Sequence, residues 1–159
     1  MKGWVRTALT VWLLAAAGLA WAAPQDVVLY SVKGNFDTVT QNVKFAIQGR
    51  GLVVDHVSEI GDMLARTGKD LGRTRRIYLH AEVVQFCSAV LSRNAMQADP
   101  RNIVFCPYAI AVYELPQEPG RIYLSYRRPE MQGSGDSMMA LQAVDKLLDG
   151  IIHDALQAP

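Results

Sequence analysis

The sequence lacks an excess of charge of either sign, and it lacks the composition of a fibrous, disordered or disulfide-dense chain. Its 159 residues include 16 basic and 15 acidic side chains, 12 glycines, 7 prolines and only 2 cysteines. A nucleic-acid binder usually carries a strong basic excess or a basic stripe, so this balance argues against nucleic acid as a partner. With 50% hydrophobic residues, the chain is long enough for one globular domain of ordinary size.

Short motifs of catalysis and cofactor attachment are absent as well. The chain contains no CxxC, CxxCH or HExxH segment and no glycine-rich turn of the nucleotide-binding kind. A covalently attached c-type haem is therefore not expected, and the sequence does not identify any other cofactor. Because no set of acid, base and nucleophile stands out, the sequence favours a binding protein over an enzyme.

The first 22 residues have the pattern of a secretory signal peptide. Lys2 and Arg6 form a short basic start, an apolar run covers 8–19, and the small residues Ala20 and Ala22 predict cleavage after Ala22. The run is shorter than the roughly 20 residues that span a bilayer. Without Lys2 and Arg6, the 16 basic residues become 14 against 15 acidic ones, a net charge of −1. We expect a periplasmic or secreted protein with no transmembrane segment after cleavage.

Hydropathy along the rest of the chain alternates between strand and helix periods. The predicted elements are a strand from 26, a helix capped by Asn35, a strand over 52–60, a short helix or loop over 62–70, a strand over 76–85, a helix from 86, strands over 103–115 and 121–127, and a final helix after a linker over 129–136. The helix after Asn35 has an apolar stripe of Phe36, Val39, Val43 and Ile47, and the last two strands form a hairpin. This order, β-α-β-(α)-β-α-β-β-α, predicts an α+β fold in which helices pack on an antiparallel or mixed sheet.

The pattern also assigns faces within these elements. In the third strand, alternation places Ile77, Leu79, Ala81 and Val83 on one face, and it places Tyr78, His80 and Glu82 on the other. In the fourth strand, Pro107 cannot donate to a ladder and predicts a bulge or break. The final helix has an apolar stripe whose predicted members are Met138, Leu141, Val144, Leu148, Ile151, Ile152 and Ala155.

Three segments resemble the domain of unknown function 302 family. They are IQGRGLVVDHVSEI, a cysteine-bearing junction QFCSAVLSRNAMQADP, and a proline-containing strand IVFCPYAIAVYE. The resemblance covers about residues 26–129. It implies a compact α+β domain similar to the TATA-binding-protein architecture, often dimeric and without an established activity. We accordingly divide the chain into a signal peptide over 1–22, this domain over 23–129, and a linker with an amphipathic C-terminal helix over 130–159.

Cys87 and Cys106 are the residues with the clearest chemical potential. Cys87 matches a cysteine that the family commonly has at the start of its second helix, whereas Cys106 precedes Pro107 where several relatives have a cysteine after the proline. In an oxidising compartment the two cysteines would form a disulfide, which closes a loop of about 20 residues and contributes roughly 3 kcal/mol. Alternatively, the thiols bind a soft metal ion such as Cu(I) or react with sulfur compounds. A third alternative is two buried thiols that act as small hydrophobic groups.

Other side chains support weaker site hypotheses. His80 shares a predicted strand face with Glu82 and could join the cysteines around a ligand or metal, or it is an ordinary solvated strand histidine. Tyr108 could belong to an aromatic ligand wall or to the core. A basic loop could receive an oxyanion or remain solvated; its members are Lys69, Arg73, Arg75 and Arg76. Four methionines raise a copper alternative, although two of them fit helical core positions; they are Met96, Met131, Met138 and Met139, with Met96 and Met138 the core candidates.

The sequence therefore supports three hypotheses of function. The first is an exported accessory protein that binds a small ligand or a soft metal ion, with Cys87, Cys106, His80 and Tyr108 as its candidate site. The second is a thiol-based redox enzyme or sulfur carrier, in which a helix start would favour the thiolate of Cys87. The third is a structural module that assembles as a homodimer.

Overall fold

The structure, a computed structural model, describes residues 26–158. The predicted signal peptide over 1–22 lies outside the described residues. The elements in chain order are β1 (Val27–Lys33), α1 (Phe36–Gly49), β2 (Val53–Ser58), α2 (Ile60–Asp70), β3 (His80–Cys87), α3 (Ala89–Ala98), a 3-10 helix (Pro100–Phe105), β4 (Tyr108–Glu114), β5 (Arg121–Arg127) and α4 (Gly135–Gln157).

The five strands form one sheet in the order β1-β5-β4-β3-β2, and every neighbouring pair is antiparallel. The predicted α+β class, the packing of helices on a sheet and the β4–β5 hairpin are therefore confirmed. β1, the first strand in the chain, pairs with β5 alone at one edge, and β2 forms the other edge.

Helices α1 and α4 cover one face of this sheet. Asn35 caps α1, because its side-chain oxygen accepts a hydrogen bond of 3.1 Å from the backbone N–H of Thr38. The apolar stripe of α1 is buried as predicted. Even-numbered strand residues face the helices, and the core they form together contains Phe36, Val39, Val43, Ile47, Val84, Phe86, Tyr108, Ile110, Val112, Ile122, Leu124, Tyr126, Val144, Leu148, Ile151, Ile152 and Ala155. Helix α4 thus belongs to the same hydrophobic core as the sheet.

The opposite face of the sheet carries the odd-numbered residues of β1, β3, β4 and β5. Leu29 is 53% exposed there, and Tyr113 and Tyr123 stack on each other with ring centroids 5.1 Å apart. Tyr78 meets Tyr113 edge-on at 5.5 Å. None of these residues is part of the core cluster, so this face is only partly covered.

Three predicted placements are wrong. The strand predicted over 76–85 runs from His80 to Cys87, although its alternation holds: Ala81 and Val83 lie on one face, and His80 and Glu82 lie on the other with the buried Val84 and Phe86. The adjacent Val83 and Val84 are both β-branched and apolar, so alternation alone could not decide which face of the strand is buried. Met138 is 43% exposed, and Ser137 is buried in its place.

The third correction concerns the segment before β4. The strand predicted from 103 begins only at Tyr108, and Pro100–Phe105 is a 3-10 helix. Asp99 accepts a hydrogen bond of 2.9 Å from the N–H of Arg101, and Pro100 suits a first helical position, so the chain turns here. Buried Asn102 ties this turn to α3 and α4 by donating 2.9 Å hydrogen bonds to Ala95 O and Ser137 Oγ. The predicted break at Pro107 is confirmed.

Candidate functional site

The two cysteines meet at one end of the central strands. Cys87 is the last residue of β3, and Cys106 lies two residues before β4. Because β3 and β4 are antiparallel neighbours in which Phe86 pairs with Tyr108, the end of one strand meets the start of the other. The two Sγ atoms lie 2.8 Å apart, and both side chains are half-buried.

The surroundings of Cys87 favour its neutral thiol. Burial, the neighbouring Cys106 and the carboxylate of Asp55, in that order of importance, together raise the pKa of Cys87 to about 12. Asp55 lies at a β-bulge between Val54 and His56 in β2, which pairs with β3. A thiol in this environment is protonated at neutral pH.

The expected placement of Cys87 at a helix start is therefore wrong. Ser88 is the N-cap of α3, and its Oγ accepts a hydrogen bond of 3.4 Å from the N–H of Leu91. Cys87 precedes this cap and belongs to the strand. A helix lowers the pKa of a thiol through its first free N–H groups, and Cys87 lies before the residue that caps them, so α3 does not lower the pKa of Cys87.

Cys106 is linked to Tyr108 through Ser92 of α3. Ser92 Oγ lies 3.7 Å from Cys106 Sγ and shares a hydrogen bond of 3.0 Å with the hydroxyl of Tyr108. The Tyr108 ring is buried in the core, edge-on to Phe86 at 6.0 Å, and burial raises the pKa of its phenol. Tyr108 therefore supports the site from within the core as a neutral hydrogen-bonding group.

His80 does not belong to this group. It begins β3 while Cys87 ends it, and seven residues of strand span about 23 Å at about 3.3 Å each. The His80 ring instead stacks on Phe36 at the start of α1, with centroids 5.0 Å apart. Glu82, its predicted companion, pairs with Lys44 at 3.3 Å. The structure brings together Cys87, Cys106 and Tyr108 and separates His80 from them.

Sequence reasoning missed Asp55 and Ser92. Asp55 reaches Cys87 because a β-bulge inserts a residue in β2, and nothing in the segment VVDHVS announces a bulge. Ser92 follows the capping residue Ser88 by four positions and so faces the same side of α3. That spacing is the one signal that could have pointed to Ser92.

A pocket lies at the start of β4, where its lining includes Phe105 and Pro107, the chain neighbours of Cys106. Its volume is about 350 Å³, and it is lined by Val104, Phe105, Pro107, Tyr108, Ala109, Arg127, Pro129, Glu130, Gln132 and Leu148. This size lies at the lower end of ligand pockets, which are mostly apolar with a few polar groups. The single basic and single acidic lining residues, Arg127 and Glu130, balance each other in charge.

A multidentate metal site is not formed by residues 26–158. No group of three or more His, Cys, Asp or Glu side chains in this part of the chain is arranged to hold a metal ion. Cys87 and Cys106 alone offer a pair of soft sulfur ligands. Across the same residues, every helix is too short or too polar to cross a bilayer.

The fold and the site define a class of protein: a single antiparallel sheet with helices on one face and a cysteine pair where two central strands meet. Residues 28–155 match the family described as domain of unknown function DUF302, and the chain belongs to this family. The match continues through most of α4. No curated protein matches the chain.

A solved structure shares this fold. It is described as a crystal structure of an uncharacterized conserved protein DUF302 from Bacillus stearothermophilus. The TM-score is 0.69 at 12% sequence identity, over 83% of this chain and 99% of the other. At this identity the likeness concerns the fold alone.

Proposed function

We propose that this protein is an exported, non-enzymatic binding protein whose small-ligand pocket at the start of β4 is fixed by a disulfide between Cys87 and Cys106. The observation that carries the proposal is the 2.8 Å approach of the two Sγ atoms directly before Pro107, which lines the pocket. A covalent link at this point would join the pocket wall to the end of β3.

Oxidation of the cysteine pair requires an oxidant, which we expect the oxidising compartment of an exporting cell to supply. A disulfide-bearing oxidant accepts two electrons and two protons from the two thiols and leaves as two thiols, while the bond Cys87 Sγ–Cys106 Sγ forms. Disulfides persist in oxidising compartments, to which the N-terminal signal pattern would direct the chain.

The protonated state of Cys87 favours this role over the two other thiol hypotheses. A catalytic nucleophile must be a thiolate in every turnover and a soft-metal ligand for as long as the metal is bound, but a pKa raised to about 12 leaves little thiolate at neutral pH. A structural disulfide needs a thiolate only once, when the bond forms. A high thiol pKa also makes Cys87 a poor leaving group in thiol exchange, so the disulfide would resist reduction.

The pocket suits a small, mainly apolar molecule without net charge. Apolar side chains from the 3-10 helix, β4 and α4 form most of its wall, and the charges of Arg127 and Glu130 offset each other. Polar contacts from these two side chains and from Gln132 would orient a ligand that carries one or two hydrogen-bonding groups.

Two measurements test the proposal. Intact mass spectrometry of exported protein should show a mass two hydrogens below that of the dithiol, with both hydrogens restored by reductant. Neutral aromatic alcohols, used as probes, should perturb NMR signals of residues around Pro107. Val104→Trp should block these shifts, because Val104 lines the pocket and is 73% exposed.

Ile103→Trp is the matched control. Ile103 is the neighbouring residue, is 63% exposed and does not line the pocket, so this variant should keep the probe response. Free thiols in the exported protein would remove the disulfide from the proposal. Equal effects of the two tryptophan variants, or no probe response in the wild type, would contradict ligand binding in this pocket.

The partly covered sheet face favours a second candidate, assembly as a homodimer. Leu29 and Val27 lie on this face and are 53% and 47% exposed. Together with the Tyr113–Tyr123 stack they form an apolar surface that a second copy of the chain would cover.

A further inference from the structure

A second pocket lies beyond the other end of β3, between α2 and the loop that follows it. Its volume is about 290 Å³, and its lining comprises Gly61, Leu64, Ala65, Lys69, Arg73, Thr74, Arg75, Arg76, Ile77 and Tyr78. This places it at the His80 end of the strand, away from Cys87. It therefore stands or falls independently of the function proposed above.

Backbone contacts build this pocket. After α2 the chain turns back, and the N–H of Arg73 donates a hydrogen bond of 2.7 Å to Gly68 O. A Cβ at Gly68 would lie 2.7 Å from Arg73 O, so glycine is needed for this close approach. Arg76 then fixes the far side, because its guanidinium donates to Tyr78 O at 3.0 Å and to Leu79 O at 2.8 Å.

The floor of the pocket is apolar surface that the protein core leaves uncovered. Helix α2 has no buried residue, which is unusual for a helix with apolar positions. Ile77 is 55% exposed, and it shares the lining with Leu64 and Ala65. Covering such surface with an apolar ligand is favourable, because it removes apolar area from water.

The charge around this floor has one sign. Four basic residues line the pocket and no acidic residue does. Lys69, Arg73 and Arg75 form no ion pair with any partner among residues 26–158. Arginine presents a planar set of donors that fits carboxylate, sulfonate and phosphate oxygens.

We propose that this pocket binds a small amphiphilic anion, in which a carboxylate or sulfonate head is carried on a short hydrocarbon body. The body would lie on Leu64, Ala65 and Ile77, and the head would lie among Lys69, Arg73 and Arg75. The apolar floor is complementary to the hydrocarbon body of such a molecule, and the unpaired basic rim is complementary to its anionic head. A molecule with only one of these parts would use only half of the pocket.

Isothermal titration of the full mature chain with octanoate tests this. One octanoate should bind per chain, and 1-octanol and inorganic phosphate should each bind at least about tenfold more weakly, since each lacks one of the two recognised parts. Lys69→Gln/Arg75→Gln should weaken octanoate by about tenfold or more. Ala65→Phe, which fills the floor without changing charge, should also abolish saturable binding.

Arg93→Gln/Lys146→Gln is the matched control. It removes the same charge from exposed positions on α3 and α4 and should leave octanoate affinity unchanged. If both double variants weaken binding equally, the effect is one of net charge and the proposal fails. Octanol binding as tight as octanoate, phosphate binding as tight as octanoate, or binding only to anionic phosphatidylglycerol vesicles would each overturn it as well. A Cys106→Ser variant should bind octanoate normally, which separates this site from the pocket beside Pro107.

Discussion

Cys87 illustrates how tertiary pairing decides the chemistry of a single side chain. From the sequence, the change of period at Phe86 put this cysteine in a helix, where a thiolate would be favoured. In the structure it is half-buried at the end of a strand, its Sγ lies 2.8 Å from that of Cys106, and Asp55 is nearby. Burial first, and these two neighbours next, raise its pKa instead of lowering it. The sequence shows that there are two cysteines, but their proximity depends on the pairing of β3 with β4 and could not be predicted from the sequence.

The raised pKa of Cys87 predicts its alkylation behaviour. In reduced Cys106→Ser protein, the iodoacetamide rate should keep rising about tenfold per pH unit from pH 7 to about pH 10, because the thiolate fraction grows with pH below the pKa. Burial, the largest cause of the shift, remains in this variant. For the same protein unfolded in urea, the alkylation rate should level off above a pH of about 8.5, the pKa of an unperturbed thiol. A plateau at or below that value in the folded protein would contradict the burial argument.

Cys106→Ser should also separate the oxidised from the reduced protein in stability. A disulfide across this loop of about 20 residues contributes roughly 3 kcal/mol, so oxidised wild type should unfold at higher urea than the variant. Reductant should bring wild type close to the variant and leave the variant unchanged. If reductant leaves the wild-type urea midpoint unchanged, the cysteines do not form a stabilising bridge.

At the scale of elements, the helices were more predictable than the strand faces. The stripe of α1 and its Asn35 cap follow from local spacing, and both are confirmed. For β3 the alternation was predictable, but the buried face was not, because the adjacent valines suit either face and the packing of Phe86 against β4 and the helices decides between them. The 3-10 helix was not predicted, because the apolar run Ile103–Phe105 is typical of a strand. The turn that Asp99 and Pro100 favour decided the structure of this segment instead.

Gly150 in α4 gives a test at this scale. Replacing an interior helical glycine by alanine usually stabilises by about 1 kcal/mol. Here the added Cβ would lie 2.6 Å from Arg50 Nη2, and that guanidinium pairs with Asp154 at 2.7 Å. Gly150→Ala alone should therefore gain only about 0.5 kcal/mol, because the displaced, exposed ion pair offsets part of the helix gain.

Urea unfolding of a double-mutant cycle measures this coupling. In an Arg50→Ala background, Gly150→Ala should recover the full gain of about 1 kcal/mol. Equal gains in both backgrounds would mean that the Arg50 guanidinium moves aside without loss.

At the scale of the whole molecule, the fold class was predictable because the order of strand-like and helix-like segments along the chain allows few sheet arrangements. The site was predictable only in its chemically distinctive residues. Cys87, Cys106 and Tyr108 come together, whereas His80 lies at the far end of the same strand, since residues close in sequence diverge rapidly along an extended chain.

The partly covered sheet face makes a prediction at this scale. If a second copy covers it, light scattering should give twice the mass of one chain for wild type and the mass of one chain for Leu29→Glu, which places a charge in the contact. Leu71→Glu is the control, because Leu71 is similarly exposed, at 65%, but follows α2. A single-chain mass for wild type would exclude the homodimer.

The pairing of β1 has a consequence for when the protein can fold. β1 joins the sheet only through β5, with Val27 opposite Arg127, so the first strand to be synthesised has its only partner about a hundred residues later. Loop closure over such a separation is slow and must wait until β5 has emerged. A nascent chain of this topology cannot complete its sheet progressively. Such a delay would postpone completion of the sheet until β5 has emerged, which would suit the export that we propose.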